Sequence, residues 1–165
     1  MAEDTKAEVK ASEINQEELC DRCVQLVFGG DRQRLQEFCE VLRAELPPGT
    51  GAVIRGSAVT GVRWDDGAPF DADGPGTSDV DLTLIGGDVH SFYILDGYFV
   101  PGIHSKPLSD KDPDIAPKLI PLREKLQQMV KRPVNIQATR DFVMYIRENL
   151  FNQPYLTLLE QAEDA

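Results

Sequence analysis

The spacing of apolar residues predicts two helices near the start of the chain. After a charged stretch over residues 1–14, apolar side chains recur at three- and four-residue intervals from Asn15 to Gly29-Gly30. The same period returns from Asp31 and ends at residues 47–49, Pro-Pro-Gly. Glycine and proline stop both segments because neither residue continues a helix well. We therefore expect two scaffold helices before the rest of the domain.

The middle of the chain shows the shorter period of β-strands. Residues 52–55 predict an apolar strand that leads directly into Gly56-Ser57, and the following residues fit one helical turn. From Asp79 to Ile85, apolar and polar residues alternate, which is typical of a half-buried strand with a solvent-facing side. Residues 62–78 are rich in Gly, Pro and Asp, and they indicate a long surface loop between the two strands.

The second half of the chain predicts one more strand between two helices. Residues 97–117 read as an extended loop, residues 118–132 as a helix and residues 134–138 as a strand. We expect Thr139 to cap a last helix. The residues expected to face the core in that helix are Phe142, Val143, Ile146 and Leu150.

Composition favours one self-sufficient domain. A chain of 165 residues with 41% hydrophobic content can bury a core of its own. We place that domain at residues 15–160, between a disordered acidic tail at 1–14 and a flexible tail at 161–165. The chain has neither an apolar signal core nor an apolar run of about 20 residues, so we expect a cytoplasmic protein that does not enter a membrane.

Net charge bears on nucleic-acid binding, and cysteine content bears on disulfides and metal sites. The net charge of −11 argues against a surface that follows a long nucleic-acid duplex, which requires clustered Lys and Arg. Cys20, Cys23 and Cys39 are an odd number in a chain without an export signal, which indicates reduced thiols. Cys20 and Cys23 lie in a predicted helix without a second Cys or His pair, so we expect helical thiols rather than a zinc or redox site.

Asp79 and Asp81 are the strongest candidates for chemistry. Residues two apart on a strand point to the same side, about 6.6–6.8 Å apart along the chain, so both carboxylates can face shared cations. Carboxylate oxygens suit Mg²⁺ or Mn²⁺ and the two-metal chemistry of phosphoryl transfer. An Asp-x-Asp pair also occurs on the solvent-facing side of ordinary strands. Gly56 and Ser57 favour a site, because glycine permits close approach of a phosphate and the hydroxyl can donate to it.

The segments RGSAVTG and TSDVDLTLIGG together resemble the nucleotidyltransferase superfamily typified by polymerase beta. The resemblance covers roughly residues 52–87 and extends more weakly to 134–138. It implies a small mixed sheet backed by helices, in the α+β class. It also implies that Gly56, Ser57 and Ser78 bind a nucleoside triphosphate such as ATP, and that Asp79 and Asp81 bind Mg²⁺ or Mn²⁺.

The chain departs from the family pattern at two places. The 22 positions that separate Ser57 from Asp79 exceed the usual spacing. The family also brings a third carboxylate from a neighbouring strand, and Asn135 stands at the matching position. An amide is a weaker ligand for Mg²⁺ and cannot act as a general base. The loop aspartates that can supply a substitute carboxylate are Asp71, Asp73, Asp110, Asp112 and Asp114.

Further ligand contacts are predicted from residue type alone. Lys106, Arg63 and Lys118 are candidates for contact with a triphosphate, and Trp64 or Tyr98 for stacking on a base. Ordinary surface cations and packed aromatic residues are the alternative interpretation of the same positions.

Two functional hypotheses follow. The first is a metal-dependent nucleotidyltransferase that moves a nucleoside monophosphate from a triphosphate to a hydroxyl on a protein, an RNA or a small molecule. The second, based on Asn135, is a degenerate module of the same fold that binds a nucleotide or a partner protein without turnover. The resemblance also implies a helical partner or a toxin–antitoxin pair, because small members of the superfamily act in such settings.

Overall fold

The computed structural model describes residues 16–63, 65–100, 103–148 and 153–162. The predicted acidic tail at 1–14, the predicted helix start at Asn15 and positions 163–165 of the predicted C-terminal tail lie outside the described residues. No helix within the described residues is long and apolar enough to cross a lipid bilayer.

Two helices precede the sheet, as the apolar spacing predicts. Helix α1 covers residues 16–27 and helix α2 covers Arg32–Glu45. Asp31 caps α2, because its side chain accepts a hydrogen bond from the backbone nitrogen of Gln33 at 2.9 Å. Phe38 and Leu42 of α2 are fully buried and belong to the main core.

The strands form one six-stranded sheet in the order β3-β4-β5-β2-β1-β6. Strand β2 pairs antiparallel with β1 and parallel with β5, so the sheet is mixed. The α+β class and the mixed sheet backed by helices are therefore confirmed. The strands are β1 (Gly51–Arg55), β2 (Val80–Ile85), β3 (Tyr98–Val100), β4 (His104–Ser105), β5 (Val134–Thr139) and β6 (Tyr155–Leu159). The remaining helices are α3 (Ser57–Thr60), α4 (Gly87–His90), α5 (Ile120–Val130) and α6 (Phe142–Glu148).

The central strands have one apolar face and one largely polar face. Ile54, Leu82 and Ile136 are at most 1% exposed and join one core with Phe38 of α2 and Leu126 of α5. Full burial of such side chains contributes about 1.5–3 kcal/mol each. The alternate residues of the same strands point to the opposite face, where the polar side chains of the candidate site lie.

The segment 97–117 corrects one expectation, because it is not an extended loop throughout. Strands β3 and β4 lie within it and extend the sheet beyond β5, to which β4 is joined through His104 and Thr139. Strands of two or three residues are too short for their alternation to be recognised in a sequence.

The start of α6 corrects a second expectation. Thr139 ends β5, and Asp141 caps the helix by accepting a hydrogen bond from the backbone nitrogen of Met144 at 3.0 Å. Val143 is 61% exposed, and Tyr145 is the residue that α6 buries completely. Leu150, predicted to face the core, lies outside the described residues.

The three cysteines are free thiols on the two N-terminal helices. Cys23 is fully buried, and Cys20 and Cys39 are half-buried. Burial raises the pKa of the Cys23 thiol to about 12. This thiol is therefore protonated and packed as an apolar group at neutral pH.

Candidate functional site

Five residues that the resemblance assigns to nucleotide or metal binding line one cleft of about 470 Å³. They are Gly56, Ser57, Ser78, Asp79 and Asp81. The other lining residues are Arg55, Arg63, Asp65, Thr77 and Gln153. A concave site of this size with several converging polar groups is typical of small-molecule binding.

Strand register explains why these residues meet. Because β1 and β2 are antiparallel, the end of β1 lies beside the start of β2, with Arg55 opposite Asp81. The turn at Gly56 therefore faces the carboxylates. Strand β5 runs parallel to β2 with Asn135 opposite Asp81, so the position implied for a third acid is indeed a neighbour of the pair.

Gly56 is required by the local geometry. Its φ of 77° and ψ of −155° lie in a region that only glycine adopts readily. A Cβ atom at this position would lie 2.9 Å from Oδ2 of Asp81. The Asp81 carboxylate thus packs against the Cα of Gly56, which couples the turn to the acidic pair.

Asn135 links the two carboxylates. Its Nδ2 donates to Oδ2 of Asp79 at 3.0 Å and to Oδ1 of Asp81 at 3.2 Å. Burial raises the pKa of the Asp79 carboxyl, the negative charge of Asp81 acts in the same direction, and the hydrogen bond from Asn135 acts against both. One oxygen of each acid therefore points to a common position, where the amide hydrogens partly compensate the two charges.

The donor chemistry of this group suits a hard divalent cation. Two carboxylates supply oxygen ligands, and a rotation of the Asn135 amide would present a third oxygen. Within the described part of the chain, no group of three or more His, Cys, Asp and Glu side chains is arranged to hold a metal ion. The residues present thus fit a cation held by two carboxylates and one amide, with less charge than a three-acid site.

Two of the loop aspartates considered as substitute acids are engaged elsewhere. Arg132 donates to both oxygens of Asp71, at 2.7 and 3.1 Å. The hydrogen bond from Arg132 lowers the pKa of Asp71 to about 2. Asp73 forms an ion pair with Arg63 at 2.9 Å. The contact with Arg132 holds the 62–78 loop against the domain, whereas the ion pair of Asp73 with Arg63 lies within the loop.

Asp110 belongs to a loop that pairs with β5 through Leu108 and Ile136. Leu108 exchanges two backbone hydrogen bonds with Ile136, at 2.7 and 3.0 Å, so its loop runs along β5 beside Asn135. Arg123 donates to Asp110 at 2.8 Å, and the charge of Asp110 contributes to the raised pKa of Asp79. Asp110 is therefore a further acidic group near the pair, and Asp112 and Asp114 follow it in the same loop.

Three of the other predicted ligand contacts, Lys106, Lys118 and Tyr98, are not among the residues that line the cleft. Lys106 is exposed beyond the end of β4 and is not among the lining residues. Lys118 lies over the ring of Phe92, with Nζ 5.1 Å from its centre. The hydroxyl of Tyr98 donates to the backbone oxygen of His90 at 2.9 Å. Arg63 lines the cleft, and Trp64 lies outside the described residues.

Sequence reasoning missed Arg55. This residue ends β1 immediately before Gly56 and lines the cleft. Its Nη2 donates to Oε1 of Gln137 at 3.0 Å. The alternation of β1 alone does not show that Arg55 faces the cleft, because this depends on the pairing of Arg55 with Asp81. The register of such a pairing cannot be predicted from one strand.

Searches against protein-family models, curated proteins and solved structures found no significant match to this chain.

Proposed function

We propose that the cleft binds a nucleoside triphosphate with Mg²⁺ or Mn²⁺ and transfers its nucleoside monophosphate to an acceptor hydroxyl. The observation that carries this proposal is the convergence of Gly56 and Ser57 with Asp79 and Asp81 on one cleft. In the proposed reaction the acceptor oxygen forms a bond to the α-phosphorus. The bond from that phosphorus to the oxygen that bridges it to the β-phosphate breaks, the acceptor proton passes to water, and pyrophosphate is released.

Each residue has a defined part in this proposal. The backbone of the turn after Gly56 would contact a phosphate, and the Ser57 hydroxyl would donate to a phosphate oxygen. Asp79 and Asp81 would hold the cation, with the Asn135 amide oxygen as an additional ligand. A bound divalent cation would offset charge on the phosphate chain and on the leaving pyrophosphate.

A second candidate function is nucleotide or partner binding without turnover. The specific observation in its favour is the amide of Asn135, which donates to both carboxylates. A neutral amide cannot take the proton of an acceptor hydroxyl. Binding needs only the cleft and the acidic pair, both of which are present.

The test is transfer of α-phosphate label from each of the four ribonucleoside triphosphates, with Mg²⁺ or Mn²⁺, to the protein itself, to RNA or to a lysate. Asp79→Ala and Asp81→Ala variants serve as controls. Label that the native protein incorporates and the variants do not supports the transferase and identifies its nucleotide. Triphosphate binding by calorimetry without label favours the binding module. Absence of both would contradict the transferase and the nucleotide-binding form of the second candidate.

A further inference from the structure

We propose that Arg55 is an anion-binding residue of the cleft and contacts the phosphate chain of the ligand. The inference deepens the proposed function and rests on it for the identity of the anion as a polyphosphate. Neither the Gly-Ser turn nor the Asp-x-Asp pair assigns any role to this position.

The sheet places Arg55 beside the acidic pair. The register aligns Tyr155, Arg55, Asp81 and Asn135 in one row across β6, β1, β2 and β5. Residues directly opposite each other on paired strands point to the same face, with Cβ atoms about 4.5–5.5 Å apart. Arg55 therefore stands on the cleft side of the sheet, next to Asp81 and one residue before Gly56.

The charge of Arg55 is not paired within the described residues. Arg63, the other arginine that lines the cleft, has carboxylate partners in Asp73 at 2.9 Å and Asp66 at 3.3 Å. Arg55 donates instead to the neutral amide oxygen of Gln137, and its Nε is shielded from solvent without a hydrogen-bond partner there. A half-buried guanidinium that forms no ion pair at salt-bridge distance is stabilised by an anion that binds directly to it.

Gln137, which accepts a hydrogen bond from Arg55, is itself fixed by buried hydrogen bonds. The Nε2 of Gln137 donates to the backbone oxygen of Ser105 at 2.7 Å, which leaves its Oε1 to accept. That oxygen accepts from Arg55 and from the hydroxyl of Tyr145, each at 3.0 Å, and the Tyr145 hydroxyl also bonds Thr83 at 2.8 Å. The guanidinium is thus held before a ligand arrives, which lowers the entropy cost of binding.

The same charges predict how the anion binds. A guanidinium presents a planar pair of donors that matches phosphate oxygens. Asp79 and Asp81 lie beside Arg55 and repel a free anion. A polyphosphate that carries a divalent cation satisfies both groups, because the cation faces the carboxylates and the phosphate oxygens face Arg55. We therefore expect binding that requires Mg²⁺ and depends on Arg55.

Calorimetry with inorganic pyrophosphate, with and without Mg²⁺, tests the assignment. Arg55→Gln removes the charge and retains an amide donor, and we expect it to weaken binding of magnesium pyrophosphate about tenfold to a hundredfold. Arg55→Lys is expected to recover part of that loss. Tyr145→Phe, which removes one of the hydrogen bonds that fix Gln137, is expected to weaken binding by a smaller factor. Arg43→Ala makes the same charge change in a different cavity and should bind as the native protein does.

Thermal unfolding of each variant separates a lost contact from a lost fold. Weaker binding by folded Arg55→Gln, with partial recovery in Arg55→Lys, supports the assignment. Equal binding by Arg55→Gln and the native protein overturns it, and so does a native protein that does not bind magnesium pyrophosphate. Pyrophosphate binding requires no transfer, so binding that depends on Arg55 without label incorporation would contradict the transferase alone.

Discussion

Asn135→Asp is the substitution that most directly tests the electrostatics of the acidic pair. It replaces the amide that donates to Asp79 at 3.0 Å and to Asp81 at 3.2 Å with a carboxylate in the same place. Without a cation, the variant loses two hydrogen bonds to charged groups and gains a third negative charge. With Mg²⁺ bound, the same carboxylate becomes a ligand.

The expected magnitude follows from these contacts. Hydrogen bonds to charged groups contribute about 1.5–3 kcal/mol each, and the lower value suits a half-exposed site, so two cost about 3 kcal/mol. Repulsion among the carboxylates adds to this loss until one of them takes up a proton. For a domain of this size, 1 kcal/mol corresponds to about 2–4 °C in Tm, so we expect a decrease of roughly 6–12 °C in EDTA.

The assay is thermal unfolding in EDTA and in increasing Mg²⁺. A cation at a hundred times its dissociation constant contributes about 2.7 kcal/mol, which returns most of the lost stability to Asn135→Asp. Asn135→Ala is the matched control, because it removes the hydrogen bonds without adding a charge and so gains less from Mg²⁺. Equal stability of Asn135→Asp and the native protein in EDTA would contradict this expectation, and so would an equal gain from Mg²⁺ in Asn135→Asp and Asn135→Ala.

Three further predictions concern the turn, the loop and the core. Gly56→Ala combines backbone strain of about 1–3 kcal/mol with a clash against the Asp81 carboxylate, so its midpoint of urea unfolding should fall. The control is Gly67→Ala, where φ is 70° and a Cβ meets nothing within 4 Å, and its midpoint should fall less. Equal losses in the two variants would contradict the clash. The hydrogen bond from Arg132 holds the pKa of Asp71 at about 2, so this contribution to stability is present above about pH 4 and is lost as the pH falls through about 2. Asp71→Asn should therefore flatten the decrease in unfolding free energy from pH 4 to pH 2 in urea titrations, and an unchanged slope would refute the assignment. Because burial raises the pKa of Cys23 to about 12, iodoacetamide should modify this thiol only after unfolding, as mass spectrometry can show; modification in the native protein at the unfolded rate would refute it.

The sequence predicts those parts of the fold whose signals are local. Strand β2 alternates apolar and polar residues, and Gly56 follows an apolar run, so both are recognisable without knowledge of their partners. The cleft then follows, because both segments belong to one sheet. Even here the alternation misleads in one respect, since Thr83, on the predicted solvent-facing side of β2, is completely buried by Tyr145 of α6.

The features that the sequence does not predict depend on contacts between distant residues. The sequence of residues 155–159 does not by itself indicate a strand. These residues form the edge strand β6 through their pairing with β1. Asp71 reads as a possible metal ligand until Arg132, 61 positions away, is seen to bind both of its oxygens. Arg55 likewise acquires its place in the cleft from two strand pairings and from Gln137 on a third strand.

If the site binds a cation as proposed, the amide of Asn135 affects how that cation enters. Two carboxylates that face a common position are costly to bring together without a positive partner, and the amide hydrogens reduce that cost in the absence of metal. A cation must therefore displace two hydrogen bonds and gains only two acidic ligands in return. Arg55, beside Asp81, further reduces the attraction for a free cation. Both effects favour entry of the metal together with an anion that pairs with Arg55, so metal and polyphosphate are expected to bind cooperatively, whether or not transfer follows.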